Sequence, residues 1–172
     1  MKRRTVQTEL EILATEFPVV SIYGPRQSGK TTLARMTFPD KPWVSLEDLD
    51  VRARASSDPR GFLDSYKSGA IFDEIQRVPE LLSYLQGVVD IDRRPGRFIL
   101  TGSHQAKLKK SIAQSLAGRT AVLTLLPYSL EECPVVLADA SSVFNTIRRG
   151  FYPQLRETSM REKSFFSAYV AT

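Results

Sequence analysis

Short apolar runs alternate with helical patterns along most of this chain. The runs are VVSIY at 19–23, WVSL at 43–46, GAIF at 69–72, RFILT at 97–101 and TAVLTLL at 120–126. Four of them are nearly continuous in apolar residues, the pattern of strands buried on both faces of a parallel sheet. Between them, apolar residues spaced by three and four predict helices over 29–38, over the two pieces 47–55 and 59–66, and over 79–91 and 105–117. An opening amphipathic helix over 6–17, carrying Leu10, Leu13 and Phe17, ends ahead of Pro18, because a residue before proline is driven out of the helical region. Strand and helix in repeated alternation predict an α/β fold. Beyond Leu126 the alternation stops. Pro127 and PVV at 134–136 interrupt it, the small-residue stretch ADASS follows at 138–142, and helical material runs to a final segment, 160–172, with Phe165, Phe166, Tyr169 and Val170 on it.

A chain of 172 residues is long enough for one sizeable core and short for two. No apolar segment reaches membrane-spanning length, and no hydrophobic stretch follows the basic start MKRR, so a cytoplasmic protein without signal peptide or membrane anchor is expected. The single cysteine, Cys133, excludes an internal disulfide and a cysteine metal cluster, and is expected to be a small buried apolar residue. Lys and Arg number 24 against 19 Asp and Glu, a net charge of +5. The basic residues cluster at Lys2, Arg3 and Arg4, at Arg93, Arg94 and Arg97, and at Lys107, Lys109 and Lys110. Such clusters suit nucleic acid, attract a polyanionic nucleotide, or form ordinary solvated faces.

The chemistry begins directly after the first apolar run. Residues 24–31 fit G-x-x-x-x-G-K-[ST] without a gap: Gly24, Pro25, Arg26, Gln27, Ser28, Gly29, Lys30 and Thr31, with Thr32 following on the helix. Backbone N–H groups that turn inward around phosphate oxygens need the dihedral freedom and close approach of Gly24 and Gly29. The helix that starts there points its positive end at the same phosphates. Lys30 is expected to reach the β- and γ-phosphates and Thr31 to ligate Mg²⁺. A magnesium–nucleotide site also needs a carboxylate at the end of a buried strand, and AIFDEIQ at 70–76 offers Asp73, holding the metal through a water. Next to it, Glu74 is placed to orient and deprotonate an attacking water. At the end of the next apolar run, Thr101 and Ser103 are both candidates for a hydrogen bond to the γ-phosphate or the water, and the spacing does not choose between them. Arg119, just ahead of the last run, reads either as an arginine finger offered to a neighbouring subunit's γ-phosphate or as a cap on the preceding helix at Gly118. His104, the only histidine, has no second histidine to share a metal with. Trp43 and the other aromatics read as core or strand residues.

GPRQSGKTTLA at 24–34, DEIQ at 73–76, LTGS at 100–103 and LAGR at 116–119 together resemble an AAA-type P-loop ATPase domain. More narrowly, they resemble the bacterial and archaeal ATPase group that carries these four motifs in this order, with the resemblance running from the first helix to about Glu132. The resemblance implies a three-layer αβα P-loop NTPase with a five-stranded parallel sheet of order 5-1-4-3-2. It also implies ATP and Mg²⁺ as cofactors, Lys30 in Walker A, and Asp73 and Glu74 as the metal-positioning and catalytic acids of Walker B. Members of that group run to about twice this length and continue into a nuclease-like C-terminal domain. The implied organisation is an ATPase domain over 1–132 and a helical segment over 133–172, a lid or the start of a further domain, in a truncated or minimal version of the group. In that segment RGFYP at 149–153 resembles a GGFP-like turn, with Arg149 in place of glycine.

The function expected from these residues is ATP hydrolysis by water attack, driving a conformational change in an attached domain or partner. A nucleotide-binding module without turnover and a small-molecule kinase are the alternatives. Arg119 points to a homo-oligomer, the basic clusters to nucleic acid, and no feature points to a membrane.

Overall fold

The structure is a computed structural model that describes residues 3–103, 112, 114–133, 135 and 138–171. Helix α1 (Gln7–Glu16) leads into β1 (Val19–Gly24), followed by α2 (Lys30–Thr37), β2 (Trp43–Ser45), α3 (Leu49–Ser57), α4 (Pro59–Asp64) and β3 (Ala70–Asp73). A 3₁₀ turn (Ile75–Arg77), α5 (Leu81–Ile91), β4 (Phe98–Ser103) and β5 (Thr120–Thr124) complete the αβ portion. The five strands are all parallel, in the order β2-β3-β4-β1-β5, which is the order 5-1-4-3-2 read from the other edge.

The apolar runs are continuous because both faces of the sheet are covered. Side chains alternate along a strand. Val19 and Tyr23 of β1, Phe72 of β3 and Phe98 and Leu100 of β4 therefore face one layer, which includes Ala55, Phe62, Leu63, Leu82 and Leu85 of α3, α4 and α5. Val20, Ile22, Ile71 and Ile99 face the other, with Leu10 of α1 and Leu33 and Ala34 of α2. Phe62, Tyr66, Phe72 and Phe98 pack ring against ring, with centroids 5.3–5.7 Å apart, and fill the first layer. The arrangement is a three-layer αβα sandwich.

Two edges explain the departures from continuous burial. In β5 only Ala121 and Leu123 are buried, against α1 and α2, and Val122 on the opposite face is exposed. Strand β2 has three residues, and Trp43 lies in it with its ring half exposed under the Arg35 guanidinium, 4.8 Å from the ring centre. Most of the helix expected over 105–117 lies outside the described residues, as do His104 and the cluster Lys107, Lys109 and Lys110. Ile112 and Leu116 from that stretch are buried in the first layer. No helix among the described residues is long and apolar enough to cross a membrane.

After β5 the chain forms α6 (Ala140–Arg149), α7 (Pro153–Glu157) and α8 (Glu162–Ala171). Helix α6 starts inside the small-residue stretch. The Asp139 carboxylate accepts from Ser142 N–H at 2.7 Å and the Ser142 hydroxyl accepts from Asp139 N–H at 3.0 Å, a reciprocal capping box. Arg149 closes that helix and donates to the Leu155 carbonyl at 2.8 Å, while Pro153 opens α7 at the position where a missing N–H costs nothing. Cys133 is buried.

Candidate functional site

Gly24, Asp73 and Ser103 all stand at the carboxyl ends of their strands, where open parallel sheets place their ligands. The register fixes their neighbours. Gly24 pairs with Ser103 and Phe72 with Leu100, so β4 lies between the loop strand and the carboxylate strand, with Thr101 beside Asp73. The loop of 24–29 sits on this edge, and its shape has visible causes. A Cβ on Gly24 would meet the Leu125 carbonyl oxygen at 1.9 Å, so the residue is confined to glycine by the neighbouring strand end. Gly29 has φ 93°, a left-handed conformation at the N-terminus of α2, and Gln27 adopts φ 59° without being glycine. Left-handed residues interspersed in a short loop turn successive N–H groups to one side and make an anion-binding concavity.

Lys30, only 5% exposed, donates from Nζ to the Gly24 carbonyl at 3.2 Å and to the Pro25 carbonyl at 2.8 Å, so its ammonium spans the mouth of its own loop. Burial pushes its pKa down, Glu74 and Asp73 push it back up, and Arg26 adds a further downward pull. Asp73 is the hub on the other side. The Thr31 hydroxyl donates to its Oδ1 at 2.6 Å, and the Thr101 hydroxyl donates to the same oxygen. A hydroxyl that donates to a carboxylate keeps its lone pairs free. Thr31 and Asp73 thus form an all-oxygen pair suited to a hard divalent cation.

Glu74 adopts φ 56° and ψ 47°, left-handed for a non-glycine residue, and this turn carries it off the end of β3. Its N–H donates to Thr101 Oγ1 at 3.3 Å, and its Oε2 accepts from Ser103 Oγ at 3.3 Å and from Gln76 Nε2. The two candidates that spacing left undivided are separated here: Thr101, fully buried, backs Asp73, and Ser103 stands beside Glu74. Gln76 was not singled out from the sequence. It closes the DEIQ motif, but its role becomes visible only when the 3₁₀ turn folds its amide back onto Glu74. The Gln76 Oε1 atom is buried and has no hydrogen-bond partner among the described residues.

Arg119 lies at the far end of the sheet. Its carbonyl accepts from Val19 N–H at the start of β1, the end opposite Gly24. The five residue steps from Val19 to Gly24 correspond to roughly 16 Å. Its guanidinium holds Asp90 with two hydrogen bonds, 2.6 and 2.9 Å, and the Ala117 carbonyl with a third at 2.9 Å. It does not reach the loop of its own chain. Of the basic clusters, Arg4 and Arg97 are buried, Arg97 bonded to carbonyls of Lys67, Val88 and Asp92, and Arg93 and Arg94 pair with Asp90 and Asp92.

Residues 16–133 match the family described as AAA domain. The chain belongs to that family. An AAA domain is a nucleotide-binding P-loop ATPase domain, and the loop, the parallel sheet and its strand order are those of this fold. Two uncharacterised proteins, of Mycobacterium bovis and Mycobacterium tuberculosis, are each 32% identical to this AAA domain over 140 residues, 81% of the chain. The chain spans only 32% of the length of those curated relatives. Among solved structures, the fold is similar to a Walker-type ATPase of Pyrococcus abyssi, with a TM-score of 0.52, 18% identity and coverage of 98% of this chain and 62% of that one. It is also similar to AMPPCP-bound DnaA of Aquifex aeolicus, with a TM-score of 0.53, 17% identity and coverage of 88% and 57%.

Proposed function

We propose that this AAA domain hydrolyses ATP with Mg²⁺, by attack of water on the γ-phosphate, and that the hydrolysis drives a conformational change in an attached domain or a partner. The observation that carries the reading is Glu74, a carboxylate held at the carboxyl edge by Ser103 and Gln76, in a left-handed turn beside Asp73 and Lys30. A domain that only sensed nucleotide would have no use for an acid fixed there.

Each residue then has a task. The loop of 24–29 and the first N–H groups of α2 receive the phosphates, and Lys30 moves from the Gly24 and Pro25 carbonyls onto the phosphate oxygens, exchanging neutral acceptors for charged ones. Thr31 would hold Mg²⁺ directly and Asp73 through a water, and the ion would neutralise charge on the phosphates. Glu74 takes a proton from the water as its oxygen forms the bond to the γ-phosphorus, the bond to the bridging oxygen breaks, and ADP leaves with the electron pair. Ser103 keeps the carboxylate aimed. Residues 133–172 form a segment separate from the ATPase domain proper in this reading, a lid or the start of a further domain.

Phosphate release from Mg-ATP with no added acceptor is the test. Steady release is expected. A chain that releases phosphate only when an acceptor is supplied is a kinase, and one that binds Mg-ATP tightly without release is a binding module; either result overturns the hydrolase.

An Arg119 that does not reach the loop of its own chain would act as an arginine finger only on a neighbouring subunit. Its Asp90 pair is partly exposed, and exposed pairs are weak enough to exchange partners. Hydrolysis per subunit is expected to rise with protein concentration in the native chain and to stay flat in Arg119→Ala. A rate per subunit that is constant with concentration in both leaves Arg119 as a helix cap.

A further inference from the structure

Arg4 is 5% exposed and each nitrogen of its guanidinium donates at least one hydrogen bond. It donates to the Ser28 carbonyl at 2.9 Å, the Leu126 carbonyl at 2.7 Å and the Glu132 carboxylate at 2.9 Å, and lies 4.8 Å from the centre of the Tyr128 ring. Both side chains of the Arg4–Glu132 pair are 4% exposed. Glu132 in turn accepts from Thr5 N–H at 2.8 Å and Ser129 N–H at 3.0 Å. Burial opposes its ionisation, yet the Arg4 hydrogen bond, those from Ser129 and Thr5, and the Arg4 charge hold its pKa down to about 2. Tyr128 is fixed from the other side, by a hydrogen bond from its hydroxyl to Glu157 of α7 and by its N–H on the Phe151 carbonyl at 2.9 Å. A buried pair with its remaining hydrogen bonds satisfied keeps one geometry.

The contact with Ser28 bears on the loop directly. A trans peptide is planar, so the Ser28 carbonyl and the Gly29 N–H point in opposite directions. With that carbonyl turned to Arg4, the Gly29 N–H points away from Arg4. The Ser28 side chain adds no hydrogen bond of its own: Oγ is buried with no partner among the described residues. We infer that Arg4, held by Glu132, is a positioning residue for phosphate binding, orienting the Gly29 N–H through the Ser28 carbonyl. The inference rests on the phosphate-binding reading of this loop, and it assigns to a buried arginine of the leading segment a part in the affinity of a loop that begins 20 residues later.

Lysine at position 4 keeps the charge and loses the fork that spans three acceptors; glutamine at 132 keeps the shape and releases Arg4 from its anion. Binding of Mg-ATP and of magnesium tripolyphosphate, which touches the loop without a base or sugar, is measured for the native chain, Arg4→Lys and Glu132→Gln. Thermal midpoints and the Gly29 amide resonance are recorded alongside. Both variants are expected to stay folded and to lose about tenfold or more in affinity for tripolyphosphate. Their Gly29 amide proton is expected to lose most of the shift that tripolyphosphate causes in the native chain. A merely structural pair would lower the midpoint and leave the Gly29 shift of the folded fraction intact, which overturns the inference. If Arg4→Lys does not fold, Glu132→Gln decides on the same two readings. A native chain that binds neither probe brings down the nucleotide reading and this inference together; native binding with unchanged variants brings down the inference alone.

Discussion

Lys30→Ala is expected to abolish measurable Mg-ATP binding, a loss of about a hundredfold or more, while the thermal midpoint moves by only a few degrees. The two halves of that expectation have separate causes. Without nucleotide, the ammonium is satisfied by the Gly24 and Pro25 carbonyls, two neutral acceptors at 3.2 and 2.8 Å, and burial already disfavours its charge. Its removal therefore costs the free protein little: a buried cation is lost along with its desolvation penalty, and Glu74 and Asp73 retain their own hydroxyl and amide donors. With nucleotide, the same ammonium faces a polyphosphate inside a loop whose other donors are mainly backbone N–H groups, with the Arg26 charge nearby. Truncating one partner of a desolvated charge pair costs about 2–5 kcal/mol, and each 1.4 kcal/mol is a factor of ten. Titration calorimetry on native and variant protein, beside a thermal melt, checks both halves. Unaltered affinity would remove Lys30 from the phosphate site, and a large fall in midpoint would make it a structural residue.

How far the sequence foretold this site depends on which interactions are local. The strands were legible because a parallel sheet covered on both faces needs apolar residues at every position, and the boundaries moved by only one or two residues. The loop was legible because Gly24, Gly29 and Lys30 are tied to each other within six positions. Asp73 and Glu74 could be read from the strand that ends on them. What could not be read lies in contacts between distant segments. Arg4 counted as one of three basic residues at the start of the chain, since a sequence carries charge and not burial; its partner Glu132 is 128 positions away. Arg119 finds Asp90 across 29 positions, near the end of a helix that is apolar over most of its length. Helix α6 was not separated from its surroundings for another reason. Its apolar residues Val143, Phe144 and Ile147 fall at helical spacing but none of its residues is buried, and the capping box that starts it lay in a stretch of small residues typical of a loop.

Glu74→Gln is the change that separates binding from chemistry. Glutamine has nearly the same shape and retains an oxygen to accept from Ser103 and an amide that can meet the buried, unpartnered Gln76 Oε1, so the left-handed turn and its hydrogen bonds are expected to persist. Lys30, Thr31 and the loop are untouched, and Mg-ATP affinity is expected to stay within about threefold of the native value, because a hydrogen-bonded neutral side chain replaces an anion that repels the phosphates and no contact to the nucleotide is removed. What is lost is the capacity to accept a proton from the attacking water. General-base catalysis contributes about a hundred- to ten-thousandfold, and the turnover number is expected to fall within that range. Single-turnover phosphate release together with equilibrium binding on the same sample reads both quantities. A variant that binds and hydrolyses like the native chain would mean that Glu74 merely ends its strand, and that water is activated elsewhere or not at all. A variant that loses binding and turnover together would instead place Glu74 with the residues that hold nucleotide, since a base that acts only on the water enters the transition state and leaves the bound ground state as it was.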